Sequence, residues 1–222
     1  MSISVYIEST ERFRDEEEFS YAYSLMPEFR KKKIDSIIFP EKKRASLTAG
    51  LLLKRGLFDA GIDDTEVYSD ITRFALPIGK AGTHYDIDRE RVPYLYGEDI
   101  YFSLSHSGSY AMCITGNEPC GCDIEMISDK DIRVAPRILS GDQFDEYVQL
   151  DRAAQQKLFF SVWTVKESVM KAEGRGFLLP PGQINVDLKS GTANDVESGK
   201  TYRIYTFYGV PGYVYSYAVL VQ

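Results

Sequence analysis

Two acidic residues with one residue between them, Asp123 and Glu125, lie in a short stretch with the character of a strand. Residues i and i+2 of a strand point to the same face, which places their Cβ atoms roughly 7 Å apart. Carboxylates on one face repel each other unless a cation lies between them. Mg2+ binds few carboxylates and leaves positions for water and phosphate oxygens. Alone, the pair is equally typical of a solvated edge strand.

Two further groups of residues favour the metal site over the solvated strand. Glu167 closes a Trp-x-x-Lys-Glu motif at positions 163–167, in the clearest helical pattern of the chain, and Lys171 follows four residues later on the same helix face. Ser105 and His106 stand at the end of a strand and supply hydrogen-bond donors suited to an anion. Taken singly, a Ser-His-Ser triplet is also common in turns, and Trp163 is equally typical of a core aromatic.

Composition bounds the class of protein. The chain has 222 residues, 44% of them hydrophobic and 27% charged, which is typical of a folded globular protein with one domain or two small ones. A net charge of -7 argues against general nucleic-acid binding. Charge is unevenly distributed, because positions 28–56 contain nine basic residues and only three acidic ones. This segment predicts either a solvated helical face or a local site for phosphate.

The cysteines and the N-terminus indicate the compartment. Three cysteines without a disulfide framework are typical of a reducing environment, and Cys113 and Cys122 fall at apolar positions of strand-like runs. Positions 1–10 resemble neither a signal peptide nor a membrane anchor, and no run of eighteen apolar residues occurs. We therefore predict a cytoplasmic protein that makes no contact with a membrane.

The elements that must position these residues follow from periodicity. Alternation of apolar and polar residues predicts strands near residues 3–7, 100–104, 110–114, 120–126, 201–208 and 213–221. Helical spacing predicts helices over 16–26, 40–60, 142–150 and 153–172. The order predicts an α+β fold with a duplication near Pro119 into two halves, 1–118 and 119–222. A single mixed domain is the alternative.

In these ordered motifs the chain resembles the 4'-phosphopantetheinyl transferases of the surfactin-synthetase-activating type. The resemblance runs through ordered motifs from the basic helix at Arg44 to Lys171. It implies two similar α/β halves with the site between them. It implies a pseudo-duplicated fold, coenzyme A as donor and Mg2+, or Mn2+ in its place, as metal. It also implies that the acceptor is a serine of an acyl, peptidyl or aryl carrier protein, and that 3',5'-adenosine bisphosphate leaves.

The resemblance assigns roles to individual residues. Asp123, Glu125 and Glu167 match the metal acids, with Glu167 as metal ligand, general base or both, and Lys171 matches a catalytic lysine at the bridging phosphate. The matches to nucleotide contacts are Lys32, Arg44, Lys80, Ser105 and His106. Two positions depart from the family pattern, because Ala81 replaces the proline after Lys80 and Phe29 stands at a basic position that Arg30 could serve.

Two other functions use the same residues. A metal-dependent nucleotide phosphohydrolase would employ the acids on another substrate, and a coenzyme A binding module would bind without catalysis. The complete set of acids and Lys171 favours the transferase. Because each half supplies one side of the site, we predict a monomer. The apolar residues of segment 144–150, Tyr147 and Val148 among them, are predicted to contact the carrier protein.

Overall fold

The computed structural model describes residues 3–62, 100–129 and 134–221. The helices in these ranges are α1 (Glu16–Ser24), α2 (Glu28–Asp35), α3 (Pro40–Asp59), α4 (Ala135–Ile138), α5 (Gly141–Tyr147) and α6 (Arg152–Ala172). The strands are β1 (Ile3–Ser9), β2 (Tyr101–Ser107), β3 (Tyr110–Gly116), β4 (Cys120–Met126), β5 (Ile184–Asp187), β6 (Thr192–Asp195), β7 (Thr201–Phe207) and β8 (Tyr213–Leu220). Within the described ranges, each helix is too short or too polar to cross a membrane.

The strands form two antiparallel sheets. One has the order β1-β3-β2 and the other the order β4-β8-β7-β6-β5. The predicted mixture of helices and strands is therefore confirmed, with two sheets that are compatible with the transferase fold. One sheet has three strands and the other five, so the duplication of the halves and the division at residue 118 stay predictions.

Helix α3 covers one face of the smaller sheet. Pro40 stands at its first turn, where a missing amide proton costs nothing, and Gly61 follows its end with φ +79°. Its buried side chains, Leu53 and Leu57 among them, pack against Phe102 of β2 and neighbours on β3. This packing holds the strand that ends at the Ser-His-Ser triplet.

Helix α6 covers the larger sheet in the same way. It begins at the cap residue Asp151, whose carboxylate accepts from the Ala154 amide at 2.9 Å, and it ends before Gly174 with φ +72°. Val165 and Val169 pack on the sheet in a cluster that includes Tyr202. The helix therefore lies across the strands with its 167–171 turn beside β4.

A second apolar layer separates the two sheets. Side chains of β1 and β3 meet those of β4 and β8 in a cluster that contains Cys120 and Cys122, while Cys113 lies in the core beneath α3. All three thiols are fully buried, so the prediction of Cys113 and Cys122 as core residues is confirmed. Burial raises the pKa of each thiol, to about 12 for Cys122.

The sheets are also joined by a line of hydroxyl groups, which we call the serine seam and which consists of Ser103, Ser105 and Ser107 on β2. These residues alternate along the strand and therefore face β4 together. Ser103 Oγ accepts from the Cys122 amide at 3.2 Å, and Ser107 Oγ accepts from the Met126 amide at 3.1 Å. The edge of one sheet is thus tied to the edge of the other, directly beside the two acidic residues of β4.

Most predicted elements are confirmed, with shifted ends. Helix α1 ends at Ser24 and not at residue 26, and α5 covers Gly141–Tyr147 where 142–150 was predicted. The short strands β5 and β6 were not predicted, because four residues carry too few alternations to stand out from a turn-rich segment. Helix α2 was recognised only as a charged face, since its sequence has few apolar positions.

Strand β4 approaches the backbone of α6 closely at Gly121. A Cβ atom on this residue would overlap the carbonyl oxygen of Ser168 and would lie 2.6 Å from the backbone nitrogen of Ala172. Backbone atoms of a helix cannot move aside as the end of a side chain can. Glycine at 121 therefore sets how near the β4 acidic residues lie to the 167–171 turn of α6.

Gly121→Ala tests this contact. We expect it to lower the free energy of unfolding by about 1–3 kcal/mol or more, because overpacking against backbone forces both elements to shift. Urea denaturation followed by far-ultraviolet circular dichroism measures the change. Gly141→Ala is the matched control, since a Cβ there meets nothing within 4 Å. Equal unfolding midpoints for the two variants would show that β4 and α6 have room to separate.

Candidate active site

Asp123 lies at the centre of the site. Its side chain is 3% exposed and points from β4 toward α6, on the face that also carries Ser216 in the paired strand β8. Its Oδ1 accepts from Ser105 Oγ at 2.7 Å and from Lys171 Nζ at 2.7 Å. Its Oδ2 is buried without a hydrogen-bond partner. An orphaned carboxylate oxygen of this kind is costly unless something else, such as a cation, binds it.

Glu125 stands two residues along the same strand. Its Oε2 accepts from Ser107 Oγ at 2.7 Å, and the same hydroxyl receives the Met126 amide. The predicted spacing of the two acids on one face of a strand is thus present. Ser107 is the last residue of the Ser-His-Ser triplet, and no role was predicted for it from the sequence. Its i+2 spacing from Ser105 was the signal that both serines lie on the same face of the strand.

Lys171 joins β4 to α6. Besides Asp123, its ammonium group donates to Ser105 Oγ at 3.1 Å and to the Cys122 carbonyl at 3.0 Å. Desolvation opposes the charged form, but the carboxylates of Asp123 and Glu167 outweigh it and raise the pKa of Lys171 to about 12. The ammonium therefore stays charged at neutral pH and holds a fixed positive charge among the acids.

Glu167 lies one turn before Lys171 on α6. Desolvation raises its pKa first, the negative charge of Asp123 and more weakly that of Glu125 add to this, and Lys171 opposes it, with the result at about 7. A carboxyl group with a pKa near neutrality can release and accept a proton under physiological conditions. The shift also shows that the three acids act on one another electrostatically.

The donor set fits a hard divalent cation. Mg2+ prefers oxygen ligands, and Asp123, Glu125 and Glu167 offer three carboxylates whose repulsion such an ion would relieve. The unpartnered Oδ2 of Asp123 supports the fit. Within the described ranges, however, no three His, Cys, Asp or Glu side chains are already gathered as a metal-binding group. Lys171 and two serines occupy carboxylate oxygens instead, and the metal site stays a prediction.

His106 stands between Ser105 and Ser107 near the end of β2, and strand alternation places its exposed side chain on the face opposite the serine seam. Although its side chain keeps solvent contact, desolvation lowers the pKa of the imidazole, and the positive charges of Lys171, Lys33 and Arg30 lower it further. The positive charges of these residues therefore disfavour protonation of His106. A site with such a field attracts an anion, which would restore the charged imidazole.

Arg30 and Lys33 are the basic residues of α2 that the structure brings to this end of β2. They are three positions apart and share a helix face, a spacing that could have identified them. Arg30 is buried and donates to the Ser46 carbonyl of α3 at 3.1 Å. Phe29 packs in the core beneath α3, which explains an apolar residue at that position.

The other predicted nucleotide contacts lie in different places. Lys32 is exposed on α2. Arg44 lines a cavity of about 390 Å3 between α3 and the first helical turns, with Arg14 and Lys43, and its charge helps to lower the pKa of Glu11. Lys80 lies outside the described residues. The structure therefore brings Ser105, His106 and Lys171 together, but it does not bring Arg44 or Lys32 into hydrogen-bond contact with them among the described contacts.

The remaining residues of the Trp-x-x-Lys-Glu motif are structural. Trp163 is partly buried against the cluster that contains Phe159 and Val162. Lys166 is 2% exposed and donates to the Pro181 carbonyl at 2.7 Å, on the side of α6 away from Lys171. These two residues hold the helix in place, while Glu167 alone of the three faces the acids of β4.

The predicted carrier-docking segment is only partly on the surface. Tyr147 is 7% exposed and packs with Phe144 in the α4–α6 core, so its prediction as a surface anchor is wrong. The two stacked rings bury their apolar faces against each other inside the molecule. Val148, one residue later, is 49% exposed and remains available to a partner.

Glu167 predicts a pH dependence of stability in metal-free buffer. Because the folded protein holds the Glu167 proton more tightly than the unfolded chain does, this stabilisation is full below the ordinary pKa of 4.5 and is lost as pH rises through about 7. Glu167→Gln should therefore reduce the loss of unfolding free energy between about pH 5 and pH 8 by about 1–3 kcal/mol. Urea titrations with a chelator present measure it. Glu118→Gln, an exposed glutamate, is the control, and an unchanged pH profile for Glu167→Gln would contradict the assignment.

Comparison with known proteins agrees with this geometry. Residues 119–218 match the family model described as the 4'-phosphopantetheinyl transferase superfamily. The chain is 39% identical over 92 residues to 4'-phosphopantetheinyl transferase gsp of Aneurinibacillus migulanus. The matched region covers 40% of this chain and 38% of that protein. The chain is 30% identical over 118 residues to 4'-phosphopantetheinyl transferase Sfp of Bacillus subtilis, with 52% and 53% covered.

A third relative, 4'-phosphopantetheinyl transferase psf-1 of Bacillus pumilus, is 33% identical over 101 residues, with 46% of this chain and 40% of that protein covered. The chain thus spans about half, or less, of the length of these curated relatives. The matched family region contains the acids of β4 and the 167–171 turn of α6. Over residues 119–218, this chain is similar to the 4'-phosphopantetheinyl transferase superfamily.

Proposed function

We propose that this protein transfers the 4'-phosphopantetheine group of coenzyme A to a serine of an acyl, peptidyl or aryl carrier protein. The observation that carries the proposal is the junction of three carboxylates and one lysine between β4 and α6, inside the matched family region. In the reaction, the serine oxygen forms a bond to the β-phosphorus of coenzyme A. The bond from that phosphorus to the bridging oxygen breaks, and 3',5'-adenosine bisphosphate leaves with the electron pair.

The residues divide this chemistry between them. Lys171 places a permanent positive charge where the bridging oxygen gains electrons. Glu167, with a pKa of about 7, takes the serine proton directly or through a water molecule. Asp123, Glu125 and Glu167 would hold Mg2+ or Mn2+, which supplies charge neutralisation at the pyrophosphate. Metal ligation and proton transfer are both within the reach of Glu167.

The nucleotide end of coenzyme A is assigned to the end of β2. Its 3'-phosphate is a dianion, and His106 lies in the positive field of Lys33, Arg30 and Lys171. Both sides of the site come from one chain, with β2 from the smaller sheet and β4 with α6 from the larger one. This arrangement supports activity as a monomer. The carrier protein would approach past exposed Val148, since Tyr147 is buried.

The class is tested by intact-protein mass spectrometry of carrier proteins incubated with coenzyme A and Mg2+. We expect a gain of one phosphopantetheine, lost on chelation and restored by Mg2+ or Mn2+. Asp123→Asn should slow transfer more than about hundredfold, because it removes a charge from the reacting centre. Asp142→Asn, an exposed aspartate at the start of α5, should leave transfer unchanged.

Two outcomes would overturn the proposal in different directions. Phosphate release from coenzyme A or a nucleotide without a carrier would indicate a phosphohydrolase. Tight binding of coenzyme A with neither reaction, across acyl, peptidyl and aryl carriers, would indicate a binding module. Calorimetry provides a readout of the metal that does not depend on turnover: Mg2+ should raise the unfolding temperature of the native protein and not that of Asp123→Asn.

The 3'-phosphate assignment makes a separate prediction. Dephospho-coenzyme A should bind about tenfold more weakly than coenzyme A, because each charge-assisted hydrogen bond is worth about 1.5–3 kcal/mol. His106→Ala and Lys33→Ala should each reduce this preference, measured by isothermal titration calorimetry. Lys32→Ala is the matched comparison, since this neighbouring lysine is exposed as Lys33 is but is not among the charges that lower the pKa of His106. A larger effect of Lys32→Ala than of Lys33→Ala would place the phosphate elsewhere.

A further inference from the structure

The end of α6 carries a buried acid that takes no part in the proposed chemistry. Glu173, the residue that caps the helix, is 1% exposed. Its Oε1 accepts from Tyr202 Oη at 2.5 Å and from Ser198 Oγ at 3.4 Å, and its Oε2 accepts from Lys200 Nζ at 2.9 Å. All three partners lie on β7 or on the turn that leads into it, so the carboxylate ties the helix end to that part of the larger sheet.

This carboxylate belongs to a wider polar network. Asp195, at the end of β6, is fully buried and accepts from Ser198 Oγ at 2.8 Å. Arg175 lies 3.5 Å from Asp195 and 2.8 Å from Glu197, which is the solvent-exposed rim of the network. The buried carboxylate of Glu173 thus accepts from several donors within this network, which fixes its position more tightly than a single ion pair would.

The same helical turn is held on its other side by β4. Gly121 lies against the backbone of Ser168 and Ala172, close to the Cβ of Lys171. The Lys171 carbonyl accepts from the Gly174 amide at 3.1 Å, which closes the helix two residues after the lysine. Lys171 thus lies in the last turn of α6, which contacts β4 on one side and is linked to the β6–β7 turn on the other.

We propose that Glu173 is a positioning residue, which holds the last turn of α6 so that the ammonium group of Lys171 stays on Asp123 and Ser105. The proposal rests on the transfer function given above for its kinetic consequence, but its structural part concerns the placement of Lys171 alone. Glu173 touches neither the acids of β4 nor Lys171 side-chain atoms in the described contacts, so it acts through the helix.

Energetics favour positioning over bulk stabilisation. Burial of the Glu173 carboxylate carries a desolvation cost, so its pair with the partly exposed Lys200 adds little net stability over a well-packed apolar substitute. Hydrogen bonds are directional, so a carboxylate with three donors is held in one orientation, whereas an apolar contact allows many orientations. Displacement of a reacting group by about 1 Å can cost about hundredfold in rate.

The test compares Glu173→Ala with Glu197→Ala, which removes a carboxylate from the rim of the same network. We expect Glu173→Ala to lower kcat for transfer about tenfold to a hundredfold, with the KM for coenzyme A nearly unchanged. Glu197→Ala should keep the native kcat. Tyr202→Phe removes one donor to Glu173 with no change of charge and should lower kcat in the same direction, which covers the case in which Glu173→Ala does not fold.

Nuclear magnetic resonance of the lysine 15Nζ and 13Cε signals gives a readout that needs no turnover. The Lys171 signal is assigned by its disappearance in Lys171→Ala. It should shift or broaden in Glu173→Ala and Tyr202→Phe, because the contacts with Asp123 and Ser105 loosen, and stay in place in Glu197→Ala. An unmoved Lys171 signal in folded Glu173→Ala, or equal losses of kcat in Glu173→Ala and Glu197→Ala, would overturn the proposal. A shifted signal in a protein that shows no transfer would instead leave Glu173 in its role and remove the transferase.

Discussion

The serine seam between β2 and β4 is the contact on which the rest of the site depends. It joins the edge strands of two separate sheets, and it does so with side-chain hydroxyls at 103, 105 and 107 in place of a backbone ladder. Ser103 and Ser107 accept from backbone amides of β4, while Ser105 and Ser107 donate to the carboxylates of Asp123 and Glu125. Polar groups at a buried junction are tolerated only when they are paired. The seam therefore specifies one alignment of the two sheets, and that alignment sets where the acids stand.

Charge balance reduces the repulsion among the three carboxylates at this junction. Three carboxylates beside one another would repel, yet Lys171 supplies a compensating ammonium and Glu167 holds its proton up to about pH 7. The arrangement is compensated but not complete, because Asp123 Oδ2 lacks a hydrogen-bond partner. A cation at this position would replace the charge compensation that Lys171 and the Glu167 proton already supply.

Helix α6 acts as the rigid element against which the acids of β4 are placed. One of its faces packs into the larger sheet through Val165 and Val169, and its last turn meets β4 at Gly121. Because a helix rises by about 1.5 Å per residue, a slip of one residue would carry Lys171 out of hydrogen-bond reach of Asp123. The apolar face fixes the rotation of the helix. The position of the helix along its own axis is fixed by contacts at its C-terminal end, where the Glu173 network lies.

The sequence by itself determined the elements and the chemistry of the acids. Strong alternation identified β4 and placed Asp123 and Glu125 on one face, and helical spacing placed Glu167 and Lys171 on another, because both patterns are local. Periodicity could not resolve β5 and β6, whose four residues are too few for a pattern. It also placed Tyr147 on the surface, since an apolar residue near a helix end has the same local pattern whether it is buried or exposed.

Only the tertiary structure decided which side chains meet. The contacts of Ser105 with Asp123 and of Ser107 with Glu125 span 18 positions, and that of Lys171 with Asp123 spans 48, so no local pattern encodes them. The same holds for Lys33 beside His106 and for Glu173 beneath β7, which became recognisable only once α2 and α6 were packed. The physical reason is that periodicity reports the face of an element, whereas the partner of that face depends on how the two sheets align at the serine seam.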